Sequence, residues 1–194
     1  MGLDMYLEKA PRYQNATIRD VQIIESYLRW SEVRNSDSEF SNCTLKEWCG
    51  VEEKDLPPKD YLDYYTSYRT THYPSWDTKK EHGYTSIIAI VGYWRKSNQI
   101  HNWFVENIQN GVDECEPHEV SKEQFEDLLK ICKSVLNEPN LASELLPTCS
   151  GFFFGSVNYD EDYYHDIEET VKIIENVLEK TDFEKEMIAY YSSW

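Results

Sequence analysis

Apolar residues return at helical spacing through most of this chain, which leaves room for only short strands. Behind the capping-box pattern Ser121-Lys-Glu-Gln124, residues Phe125, Leu128, Leu129, Cys132, Val135 and Leu136 form one stripe, so one side of a helix must be buried and the other stays wet. Pro139 ends that helix because its ring cannot continue the hydrogen-bond ladder. Ile18, Val21, Ile24, Tyr27 and Leu28 repeat the pattern after a cap at Asn15-Ala-Thr17, and Ile167, Val171, Ile174 and Leu178 repeat it within Tyr159 to Lys180. A further capping box, Thr44-Leu-Lys-Glu47, starts a short helix that Gly50 ends. Tyr61, Leu62, Tyr64, Tyr65 and Tyr68 predict a helix with an aromatic face.

Period-two patterning is confined to short pieces. Leu3 to Glu8 alternate, and Met187 to Trp194 close the chain as a final strand. Gly151-Phe-Phe-Phe-Gly155-Ser-Val157 reads as a buried strand with both faces covered. The predicted fold is α+β. A small, mostly antiparallel sheet is built from both termini and the 151–157 strand, packed against several helices. A length of 194 residues suits a single domain over 1–194, with 35–83 as a helical and loop insertion. Thr70 to Gly83, with His72, Pro74, Trp76 and His82, reads as a long surface loop, either a functional lid or an inert excursion.

The charge restricts the partners. Nineteen Lys and Arg face 36 Asp and Glu, a net charge of −17. Such a surface repels phosphate backbones and anionic lipid, so direct nucleic-acid binding is not expected. It gives solubility, and it also attracts basic proteins. The N-terminal MGLDMYLEK lacks the basic start and apolar run of a signal peptide, and Ile87 to Val91 is too short to span a membrane. The cysteines, at 43, 49, 115, 132 and 149, are odd in number and fit no zinc spacing. Free thiols, and hence a reducing cytoplasm, are the expectation.

The most informative segment runs from Ile87 to about Ile108 and is predicted as one helix. On a helical wheel Ile90, Trp94, Ser97, His101, Phe104, Val105 and Ile108 share a face. His101 lies in the middle of this apolar stripe. Two readings follow. In one, His101 is a core histidine bonded to a backbone carbonyl or a tyrosine hydroxyl. In the other, Trp94, Asn98 and His101 line a ligand pocket, with Arg95 or Lys96 at its mouth, because aromatic walls with a few convergent polar groups are how small molecules are held. No nucleophile is adjacent in sequence for the imidazole to activate.

Asp162, Asp166 and Glu169 recur at helical spacing beside His165. They read as acids complementing a helix N-terminus; one helix supplies too few ligands for a metal. Asp113-Glu-Cys-Glu-Pro-His-Glu119 reads as a solvated loop. The chain has no Gly-rich phosphate loop, no G-x-S-x-G and no H-E-x-x-H. No catalytic residue, metal site or cofactor is assigned.

The start MGLDMYL, the central VGYWRKSNQIHNWFVE, LPTCSGFFFGS followed by YDEDYY, and the ending YYSSW together resemble a family of phage and prophage proteins to which no biochemical activity attaches. The resemblance implies a product acting in the bacterial cytoplasm. With the charge and the missing catalytic motifs, it leads to the expectation of a non-enzymatic accessory protein. Such a protein would bind and modulate a host protein, a basic nucleic-acid-handling or defence factor. The alternative is a small-molecule or nucleotide-binding protein, with or without enzymatic activity, whose pocket lies on the 91–108 segment.

Overall fold

The computed structural model describes residues 2–35, 39–72, 87–151 and 154–194. Strand β1 (Asp4–Pro11) precedes three helices, α1 (Ile18–Arg34), α2 (Leu45–Cys49) and α3 (Lys59–His72). Then come β2 (Ala89–Arg95), α4 (Asn98–Asn107), the two-residue β3 (His118–Glu119), α5 (Lys122–Asn137), α6 (Ala142–Leu145), α7 (Glu161–Lys180) and β4 (Glu186–Ser193). The strands make one antiparallel sheet of order β2-β1-β4-β3. His118 lies opposite Tyr190, and Glu119 opposite Ala189. The chain is α+β, as expected from the sequence.

The helix starts follow the local signals. Thr17, Thr44 and Ser121 each accept from the backbone N–H three residues on, and Asp20, Glu47 and Gln124 reach back to the cap. Each cap contributes about 1 kcal/mol by satisfying amides that the helix leaves open. Gly50 ends α2 with φ +76°, a left-handed conformation that suits glycine.

Two sequence expectations are corrected. The 87–108 segment is not one helix: Ala89–Arg95 is strand β2, and the helix begins only at Asn98. The run Ile-Val-Gly-Tyr-Trp favours a strand, since β-branched and aromatic side chains fit a pleated surface and glycine weakens a helix. Helical spacing links Ile90 to Trp94, but so does strand alternation, and Ile90 is exposed. The 151–157 segment contributes no strand among its described residues. Phe154 is buried, but 155–157 are exposed and irregular, while β2 and β3 take places in the sheet. Phe152 and Phe153 lie outside the described residues, as do residues 73–83 of the expected loop.

The chain divides into two compact units, Met1–Lys9 with Ile90–Trp194, and Ala10–Ala89. The second of these contains the 35–83 stretch read from sequence as an insertion. It takes in α1, which packs against α2 and α3. Within it, Tyr65 Oη donates to the Pro11 carbonyl (2.9 Å), Tyr13 stacks on Tyr64, and Trp30 Nε1 donates to the Cys43 carbonyl (2.7 Å). In the other unit, Leu3 just before β1, Met5 and Leu7 of β1, Trp94 of β2, and Ile188 and Tyr190 of β4 face a core shared with α4, α5 and α7. Helix α7 approaches β2 so closely that a Cβ at Gly92 would lie 2.8 Å from Ile173 Cγ2.

Candidate functional site

The junction between β2 and α4 lies within the unit formed by Met1–Lys9 and Ile90–Trp194. Lys96 turns the chain with φ +61° while its N–H still donates to the Leu3 carbonyl (2.8 Å). Asn98, the first residue of α4, is 1% exposed. Its amide nitrogen donates to the carbonyls of Phe154 (3.2 Å) and Ser156 (2.7 Å), and its oxygen accepts from Cys149 N–H (3.0 Å). Asn98 thus ties Cys149, Phe154 and Ser156 to the head of the helix. The Cys149 thiol donates back to the Asn98 carbonyl at 3.4 Å.

One turn later, His101 is also 1% exposed. Its Nδ1 lies 2.7 Å from Tyr190 Oη on β4. Its Nε2 lies 3.2 Å from Asp113 Oδ2, close enough for an ion pair but off the N–H axis a hydrogen bond requires. The other Asp113 oxygen accepts from Trp194 Nε1 (3.2 Å). Phe154 meets the imidazole edge-on at 5.1 Å, and Phe104 stacks on Tyr190 at 3.9 Å. Tyr190, His101, Asp113 and Trp194 therefore form a polar chain from the core to the half-exposed loop after α4.

The electrostatics keep this chain neutral at its centre. Burial lowers the imidazole pKa, against the pull of the Asp113 carboxylate. Burial also holds the Tyr190 hydroxyl far above the usual tyrosine range, and raises the Cys149 thiol, helped by Asp113. A neutral imidazole that accepts from Tyr190 O–H at Nδ1 and carries its proton on Nε2 fits these surroundings. The arrangement joins three segments and holds a protonated thiol, not an activated nucleophile.

The four residues selected from sequence do not converge. Trp94 donates from Nε1 to Thr170 Oγ1 (2.9 Å) on α7. Arg95 is 60% exposed on the far side of β2, 3.9 Å from Asp4. Asn98 and His101 share the interior, one on Cys149, Phe154 and Ser156 and the other on Tyr190. Strand alternation sends Trp94 and Arg95 to opposite faces of the sheet. An open cleft of about 420 Å³ lies elsewhere, between Trp30, Arg34, Thr44, Lys46 and Glu52. None of the four residues lines it.

The tyrosine hydroxyl expected beside a core His101 is that of Tyr190, whereas the sequence does not point to Asp113 or Thr170 as partners. Asp113 sits in a run of carboxylates that looks solvated, and Tyr190 is remote in sequence. The tyrosine content did signal that buried hydroxyls would need partners. Asp166 faces inward. Gln99 Nε2 approaches its carboxylate at 3.3 Å, and burial raises its pKa against the hydrogen bonds of Ser97 and Gln99. Glu169 pairs with Lys172. Among the described residues no three His, Cys, Asp or Glu side chains are grouped to hold a metal, the cysteines are free thiols, and no helix is long and apolar enough to cross a membrane.

No protein-family model, curated protein or solved structure matches the chain.

The charge is unevenly shared. Residues 1–9 and 90–194 carry 23 Asp and Glu against 9 Lys and Arg, a net −14, whereas residues 10–89 carry 13 against 10, a net −3. Glu106, Asp113, Glu114, Glu116, Glu119, Glu123, Glu126 and Asp127 are all exposed within one stretch that holds a single lysine, Lys122.

Proposed function

We propose that this is a non-enzymatic accessory protein of phage type that binds a basic host protein in the bacterial cytoplasm through its acidic unit. The concentration of charge in that unit is the observation that carries the reading. A net −14 on one compact body produces a field that draws in cationic partners and turns away phosphate backbones. The sequence resemblance to phage proteins supports the setting, and a nucleic-acid-handling or defence factor has the required basic surface.

The interior supports the same choice. Asn98 and His101, the polar groups best placed for ligand recognition, are engaged by Cys149, Phe154, Ser156, Tyr190 and Asp113. Trp94 and Arg95 point elsewhere, so the small-molecule reading has less support.

Affinity capture from bacterial lysate tests the proposal. A basic protein retained at low salt and released at about 0.5 M salt, where the Debye length is only a few ångströms, is the expected result. Capture that is equal with the wild type and with a variant neutralised at Glu114, Glu116, Glu123, Glu126 and Asp127 overturns it.

A further inference from the structure

The outer face of the sheet carries a row of tyrosines. Leu3, Met5 and Leu7, and Ile188 and Tyr190, point into the helical core, so alternation turns Asp4, Tyr6, Glu8, Ala189 and Tyr191 to the other face. Tyr6 stacks on Tyr191 with centroids 4.9 Å apart and planes 14° from parallel. Tyr93 of β2 leans on Tyr6 at 5.3 Å. Three rings from three adjacent strands thus form a continuous aromatic row. Its Tyr93 end is 47% exposed, on the strand that ends the sheet. Since Lys96 N–H bonds to Leu3, Tyr93 directs its own N–H and C=O away from β1.

Carboxylates border this row. Tyr93 Oη donates to Asp4. Glu8 and Asp4 lie close enough to Tyr191 to raise its pKa, after the larger effect of burial. Glu119, opposite Ala189, turns the same way. The chain's own Arg95 lies at the rim, 3.9 Å from Asp4.

We propose that this aromatic row, bordered by Asp4 and Glu119, receives an arginine-rich extended segment of the basic partner. The proposal rests on the acidic-unit reading and specifies its contact surface. A guanidinium stacks on an aromatic ring and forks onto a carboxylate at once, which an ammonium does not do. Bases would also stack on such rings, but the surrounding carboxylates oppose a phosphate backbone.

The test uses the full chain and three labelled probes: a peptide alternating Arg with Ser, its Lys counterpart, and a single-stranded oligonucleotide. Fluorescence anisotropy is expected to show the Arg peptide binding about fivefold more tightly than the Lys peptide. Tyr93→Ala is expected to remove that preference, and Tyr93→Phe, which keeps the ring, to retain it. Asp4→Asn is expected to weaken the Arg peptide and gives a second variant should Tyr93→Ala not fold. Equal binding of both peptides, unchanged by these substitutions, overturns the tyrosine site while leaving the acidic-unit reading standing. Binding of neither peptide removes both. Preference for the oligonucleotide overturns the arginine assignment.

Discussion

His101 Nδ1 and Tyr190 Oη, 89 residues apart in sequence, meet at 2.7 Å in the interior of the acidic unit. The contact ties α4 to the last strand. Tyr190→Phe keeps the ring stacked on Phe104 but leaves Nδ1 without its donor. Leaving a buried polar group unpaired costs about 1–3 kcal/mol, so urea denaturation is expected to show a loss of that order. Tyr190→Phe combined with His101→Leu is expected to cost less than the two single losses added together. Strict additivity would mean the pair is not coupled.

The same histidine sets a pH dependence. Its folded pKa is lowered, chiefly by burial, so the unfolded chain binds the proton more readily. The stability contributed by the neutral ring is full above the unfolded value of about 6.5 and falls as the pH drops below it. Asp166, with its pKa raised by burial, works in the opposite sense, its protonation favouring the fold at more acid pH. His101→Gln cannot charge, so the stability gap between wild type and this variant is expected to narrow from pH 7 towards pH 5. A constant gap would show that the ring does not titrate with unfolding.

Asn98 holds Cys149, Phe154 and Ser156 through side-chain bonds to their backbone groups. Asn98→Ala removes those bonds. Amide exchange at Cys149 and alkylation of its half-buried thiol are both expected to accelerate, with helix content retained. Unchanged alkylation would mean that other contacts fix Cys149.

Gly92 marks the closest approach of α7 to the sheet. An added Cβ would meet Ile173 at 2.8 Å and Leu7 at 3.1 Å. Gly92→Ala is expected to cost about 1–3 kcal/mol by overpacking, and Ile173→Ala in the same chain to restore part of the loss. Equal stability of Gly92→Ala and wild type in thermal denaturation would contradict the packing described.

The legible parts of this fold were those governed by neighbours in sequence. Caps at Thr17, Thr44 and Ser121, the stop at Gly50, and the apolar stripes of α1, α5 and α7 are local, and they could be read directly. The strand–helix switch at Arg95 to Asn98 was not. Ile90 and Trp94 satisfy both periods, and the decision lies with β1 and the residue before it, Leu3, whose carbonyl takes the Lys96 N–H. His101 was identified as the residue to explain because an imidazole in an apolar stripe needs partners. Which partners they are depends on β4 and the 110–117 loop, whose approach no local pattern encodes. The expected strand at 151–157 misled because consecutive phenylalanines look like a covered strand, whereas the described part of that segment is held by Asn98.

The uneven charge is the basis of the functional account, and a paired neutralisation tests it most directly. One variant replaces Glu114, Glu116, Glu123, Glu126 and Asp127 with their amides. The other does the same at Glu52, Glu53, Asp55, Asp60 and Asp63 in the second unit. Retention of the captured basic partner is measured for both across a salt series. Loss of retention with the first set alone, with the wild-type interaction fading as salt rises, is the predicted result. Equal retention by the two variants, or a loss confined to the second, would contradict the account.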